Sequence, residues 1–175
     1  MRGFQLWINL PAREKMKPAS YRDIPPGEIP TAALPEGGSV KVIAGTLTVG
    51  DEQVRGPIQG IATDPIFFDV KLNEGERFVH PIGADHNVFI YPYEGSVKVG
   101  PSNAARALGT QAAGVLSQGD AIEVTAAADN TRFIVLAARP LREPVVQYGP
   151  FVMNTREEIE QAINDYQNGK LTLAA

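Results

Sequence analysis

Residues 66–100 read Ile66-Phe-Phe-Asp-Val-Lys-Leu-Asn-Glu-Gly-Glu-Arg-Phe-Val-His-Pro-Ile-Gly-Ala-Asp-His-Asn-Val-Phe-Ile-Tyr-Pro-Tyr-Glu-Gly-Ser-Val-Lys-Val-Gly100. Three short apolar runs stand in this stretch, at 66–72, 87–91 and 96–99, and Gly75, Gly95 and Gly100 fall between or beside them. Short runs bounded by turn residues are the signature of strands. The pattern continues outward, at 40–44 on one side and at 115–117, 121–124 and 133–137 on the other, with Gly45, Gly50, Gly56, Gly60 and Gly119 in the gaps. This spacing predicts an all-β antiparallel sandwich or barrel rather than βαβ units.

Toward the N-terminus, Phe4, Leu6, Ile8 and Leu10 alternate with Gln5, Trp7 and Asn9, which predicts a strand with one apolar face. Pro11 ends it. The following stretch carries Pro18, Pro25, Pro26, Pro30 and Pro35, too many missing amide donors for a helix or a central strand, so it reads as an arm. Toward the C-terminus one helix is expected, over 155–168. Thr155-x-x-Glu158 forms a capping box, Ile159, Ala162, Ile163 and Tyr166 share a face, and Gly169 stands where the helix should stop. That face is expected to dock on the barrel. The apolar segment 139–155 before it reads as a wrap over an open sheet edge.

Composition narrows the function classes. With 43% hydrophobic and 21% charged residues the chain can bury a core, and a net charge of -4 disfavours binding to a phosphate backbone. The absence of cysteine removes disulfides, zinc thiolates and cysteine nucleophiles together. No stretch reaches the ~18 apolar residues of a membrane span, and the first residues do not read as a signal core. The expectation is a cytoplasmic protein with no direct nucleic-acid or membrane contact.

Candidate chemistry is sparse. The two histidines, His80 and His86, are separated by Pro-Ile-Gly-Ala-Asp and share neither a helix face nor a strand face. With Asp85, and with Glu74 and Glu76 nearby, they are the metal-site candidates; the competing reading gives the histidines structural or loop roles and the carboxylates solvated turns. Ser39, Ser96, Ser102 and Ser117 stand in no Gly-x-Ser-x-Gly elbow, and Gly37-Gly38 begins no phosphate loop. Trp7, on the polar face of the first strand, reads as packing more readily than as a binding aromatic.

Two groups of residues carry a family resemblance. The run Arg142-Glu-Pro-Val-Val-Gln-Tyr-Gly-Pro-Phe-Val-Met-Asn-Thr-Arg-Glu-Glu-Ile159, with Gly3-Phe-Gln-Leu-Trp-Ile-Asn-Leu-Pro11 and Lys15-Met-Lys-Pro18, resembles the pirin family of the cupin superfamily. The resemblance implies a cupin-like antiparallel β-barrel, a double-stranded β-helix or jelly roll, with a short C-terminal α-helix. Pirins resemble tandem barrels, the first of which holds iron through three histidines and a glutamate. The chain matches only the later barrel, so residues 1–29 are expected to be an orphan strand and proline-rich arm, remnants of a first barrel and linker, and 30–175 the C-terminal cupin-like domain. The general cupin motifs are emptied here. Taking Gly95 as the glycine of the first motif puts Val88 at the glutamate position and the histidine positions among 81–84; in the second motif Thr125, Ala127 and Asn130 occupy the proline, glycine and histidine positions.

Two functions follow from the resemblance. One is a non-catalytic protein-interaction or regulatory module with no cofactor of its own, as pirins resemble regulators that bind partner proteins. The alternative is a quercetinase-like metal-dependent dioxygenase fragment or a binder of small aromatic ligands, with a metal recruited by His80, His86 and nearby carboxylates. A further expectation is a homo-oligomer or partner contact built through Phe4, Leu6, Trp7, Ile8 and Leu10, whose apolar face would have lost its neighbour.

Overall fold

A pleated strand sends every second side chain to one face, and the apolar residues of the central runs fall on that face. The computed structural model describes residues 3–171. In chain order the strands are β1 (Thr31–Ala33), β2 (Ser39–Ala44), β3 (Thr46–Val49), β4 (Glu52–Arg55), β5 (Ile66–Leu72), β6 (Arg77–Pro81), β7 (Asn87–Glu94), β8 (Val97–Val99), β9 (Arg106–Leu108), β10 (Gly114–Val115), β11 (Ala121–Ala126), β12 (Thr131–Ala138), β13 (Val146–Tyr148) and β14 (Phe151–Met153). Helix α1 spans Arg156–Gln167.

Two antiparallel sheets carry the domain. One has six strands in the order β1-β2-β5-β12-β7-β10, the other four in the order β6-β11-β8-β9. Both contribute to one core, in which Phe68, Val70 and Leu72 of β5, Phe78 of β6, Ile90 of β7, Val124 of β11 and Phe133 and Val135 of β12 are wholly buried. At ~1.5–3 kcal/mol for each large apolar side chain removed from water, this shared core is the main force joining the sheets. The fold is thus all-β with antiparallel sheets and one short C-terminal helix.

The chain forms two compact units: residues 24–140, which include every strand of both large sheets, and residues 1–23 together with 141–175. Segment 139–155 has structure of its own. Its middle forms the β13–β14 hairpin around Gly149 and Pro150, and α1 packs on that hairpin, burying Ile159 and Ala162 while Ile163 stays half-buried. The helix ends are as expected. Glu158 N–H donates to Thr155 Oγ1 at 3.2 Å, and Thr155 N–H donates to a Glu158 carboxylate oxygen at 2.9 Å. At the other end Gly169 takes φ +71°, and Gly169 and Lys170 N–H donate to the Tyr166 and Asp165 carbonyls, a Schellman closure.

The N-terminal strand is a correction. Residues 3–10 belong to no strand among the described residues, because alternation alone does not make a strand; a strand exists through a ladder, and none of the ladders among the described residues includes this segment. The arm also holds more structure than its prolines suggested. Single 3-10 turns, Ala12–Glu14 and Pro26–Glu28, start from Pro11 and Pro25, and β1 follows Pro30 at the edge of the six-stranded sheet, where a missing donor is tolerated.

Candidate functional site

Strand β6 brings His80 inward, directly opposite Ile122 of β11. Its ring lies edge-on to Phe68 at 5.2 Å between centroids and stacked with Phe78 at 6.1 Å. Phe133 closes the cluster, edge-on to Phe78 at 6.2 Å. His80 is buried and its Nδ1 has no hydrogen-bond partner. Burial among apolar rings disfavours the imidazolium and pulls its pKa from 6.5 down to about 4. His80 is therefore a neutral core residue at ordinary pH.

His86 lies in the loop before β7, in a different setting. Its Nδ1 is 3.1 Å from Asp85 Oδ1, and its Nε2 is 3.3 Å from the Asp64 carbonyl oxygen. Arg139, just after β12, ties the same loops together, with Nη2 3.3 Å from Asp64 Oδ2 and Nε 3.3 Å from Asp85 Oδ2. The hydrogen bond from His86, with Arg139 close by, holds the Asp85 carboxyl below the usual range. Gly83 permits the close turn, since a Cβ there would come within 2.8 Å of His86 Nδ1. Both ring nitrogens of His86 are engaged, so Asp64, Asp85, His86 and Arg139 form a clasp between loops rather than an open set of ligands.

The structure thus joins two of the three metal candidates, Asp85 and His86, and sets His80 apart in the aromatic core. Glu76 accepts from the Asn73 N–H at 2.7 Å and Glu74 donates its N–H to Asp129 Oδ1 at 3.2 Å, so both serve the turn between β5 and β6. Among the described residues no group of three or more His, Asp or Glu is placed to hold a metal ion. Two positions that the cupin motifs would fill with ligands do not fit iron: Val88, at the glutamate position, is a buried apolar core residue, and Asn130, at the histidine position, is exposed at φ +51°. Trp7, Phe4, Leu6 and Ile8 are exposed, and Leu10 is half-buried.

One concave feature escaped sequence reading. A cavity of about 830 Å³ runs beside β9 and β10, lined by Leu108, Val115 and Leu116, with Arg106, Asp120 and Glu123 at its polar wall. Much of the remaining lining is Gly, Ala and Pro, which leave no motif. Glu123 is already ion-paired with Arg77.

The comparisons with known proteins agree with this architecture. The family model for the pirin C-terminal cupin domain matches residues 67–172. A Pseudomonas aeruginosa protein named "Putative quercetin 2,3-dioxygenase" is 43% identical over 173 residues, 99% of this chain and 60% of its own length. Human pirin is 38% identical over 169 residues, 96% of this chain and 56% of its own length. The crystal structure of quercetin 2,3-dioxygenase from Acinetobacter baumannii superposes with a TM-score of 0.81 at 36% identity, covering 94% of this chain and 55% of that one. The chain therefore spans somewhat more than half the length of these relatives. With the domain model matched over most of the barrel and the identity sustained from the N-terminal arm to the helix, the chain belongs to the pirin family and contains its C-terminal cupin domain.

Proposed function

We propose that this chain is a cytoplasmic binding or regulatory module, a cupin barrel that meets other proteins rather than turning over a substrate. The observation that carries this reading is the filled interior. Phe68, Phe78 and Phe133 are wholly buried and His80 is wedged against the first two, so the space between the sheets holds side chains instead of a ligand. A catalytic pocket needs a concave site with convergent polar groups, and the polar side chain packed among these rings is a single neutral imidazole.

The names of the relatives support a second reading, an iron-dependent oxidation of a flavonoid. The cavity beside β9 and β10 is large enough for a small aromatic molecule. The oxidation would need metal donors that the motif positions of this chain do not supply, and the relatives named for it are considerably longer. The test is metal analysis of untagged protein, together with quercetin turnover in added ferrous iron. The expected result is no stoichiometric iron and no turnover above that of free iron. Bound iron or turnover lost on His80→Ala or His86→Ala overturns the module reading.

A further inference from the structure

Helix α1 is anchored at its start and loose at its end. Its buried residues, Ile159 and Ala162, lie in the first two turns, and every residue from Tyr166 to Lys170 is exposed. The last turn carries no basic side chain to offset the helix dipole, and Asp165 adds a negative charge there, 3.8 Å from Lys170 Nζ. Such ends open at little cost while the rest of a domain stays folded.

This end holds a reactive dipeptide. Of the chain's asparagines only Asn168 is followed by glycine. With no Cβ beside it, the backbone nitrogen of a glycine is open to approach by the preceding side chain. The closed turn keeps the two groups apart. Gly169 N–H donates to the Tyr166 carbonyl at 3.0 Å, and Asn168 Nδ2 donates to the Asn164 carbonyl at 2.7 Å. Asn168 also has ψ 7°, whereas attack on its side chain requires Gly169 N to swing round and eclipse the Asn168 Cβ.

We infer that Asn168 is a site of spontaneous deamidation, gated by opening of the last turn of α1, and that its product keeps that turn open. In the open state Gly169 N attacks Asn168 Cγ. The new C–N bond closes a five-membered imide, the Cγ–Nδ2 bond breaks, and Nδ2 leaves as ammonia with the proton from Gly169. Water then opens the imide at either carbonyl, leaving aspartate or isoaspartate, with nothing oxidised or reduced. Either product puts a carboxylate, in place of a donor, at the negative end of the helix dipole. Isoaspartate also lengthens the backbone by one carbon before Gly169, so the Gly169 and Lys170 N–H groups fall out of register with the Tyr166 and Asp165 carbonyls.

The test incubates the whole chain in mildly alkaline buffer, native and in concentrated urea, and digests samples with trypsin. Cleavage after Arg156 and Lys170 releases residues 157–170, in which fragmentation assigns the mass gain to Asn168 rather than to Asn164. The native rate should be roughly three- to a hundredfold below the rate in urea, as local opening allows; reaction only through global unfolding would slow it about a thousandfold or more. A native rate equal to that in urea removes the gate, and one slowed by more than a hundredfold overturns the inference. Hydrogen exchange at the Gly169 amide should be retarded by a similar factor, because the same opening frees it; unprotected exchange beside slow deamidation refutes the gate. Gly169→Ala, compared in urea where the fold plays no part, should slow the reaction about tenfold or more; an unchanged rate excludes the imide route. Deamidated protein separated by anion exchange should exchange its Gly169 and Lys170 amide hydrogens faster than the parent, and equal rates overturn the claim that the product holds the turn open.

Discussion

Acid should weaken this fold through His80 in a pH range where few other groups titrate. The folded pKa is about 4 against 6.5 for a free imidazole, because the ring is shut among Phe68 and Phe78. Between those values the unfolded chain binds a proton that the folded chain refuses. The stabilising term is fully present above pH 6.5 and is lost as pH falls toward 4. A shift of this size corresponds to about 3 kcal/mol in all, of which about 2 kcal/mol is gone at pH 5. Against a typical domain stability of ~5–15 kcal/mol this is measurable. Urea unfolding at pH 8, 6.5, 5.5 and 5 should show the decline, and His80→Leu should flatten it, since that substitution removes both the titrating ring and its unpartnered Nδ1. Asp85, held below its ordinary value, acts in the same direction only below about pH 4, outside this window. With two histidines in the chain, NMR titration separates His80 from His86 directly. Equal pH slopes in wild type and His80→Leu, or a His80 signal titrating near 6.5, would refute the reasoning.

Three further outcomes are expected. Thr155→Ala should cost about 1 kcal/mol by removing the helix cap, and Ile159→Ala about 2–4 kcal/mol from a buried site; near-zero losses for both in thermal melts followed by dichroism would show α1 to be undocked. Gly95→Ala should destabilise by more than ~1 kcal/mol, because the residue sits at φ +67° and its Cβ would run into Thr131 Oγ1; a neutral result in urea would contradict the turn geometry. Tyr93, half-buried and donating to Asp69 Oδ1 at 2.7 Å, is pushed up to about 12. Its stabilising term is complete below pH ~10 and declines as pH rises through 12, so an alkaline absorbance titration should contain a late step that vanishes in Tyr93→Phe.

Legibility in the sequence followed the distance over which each feature is determined. The helix was readable because its cap, its face and its stop all lie within fifteen residues of Thr155. Strands β5, β7, β11 and β12 were readable because both their faces and their bounding turns are local. Strand β6 was missed: Arg77, His80 and Pro81 disguise a burial pattern in which Phe78 and His80 both point inward. The β3–β4 hairpin was missed because its outward half is polar, and β13–β14 because three-residue strands exist only through their pairing. Residues 3–10 erred in the opposite direction, having a strong local pattern without a ladder. The clasp at His86 was half-legible. Asp85 is its neighbour, but Asp64 and Arg139 arrive from distant loops, and no local spacing announces them.

The discontinuity of the smaller unit also sets an order of events during synthesis. Every ladder of the two large sheets lies between Thr31 and Ala138, so the whole barrel sequence emerges from the ribosome before the hairpin does. The arm must wait for that hairpin, since its bonds run from Ala12 to Glu143 and from Lys15 to Val152. At ~5–20 residues per second the delay is roughly 6–26 seconds. Throughout it, Phe4, Leu6, Trp7 and Ile8 travel on a nascent chain with nothing of their own unit to rest on. That interval is when a chaperone or a neighbouring nascent chain has its best opportunity to capture them.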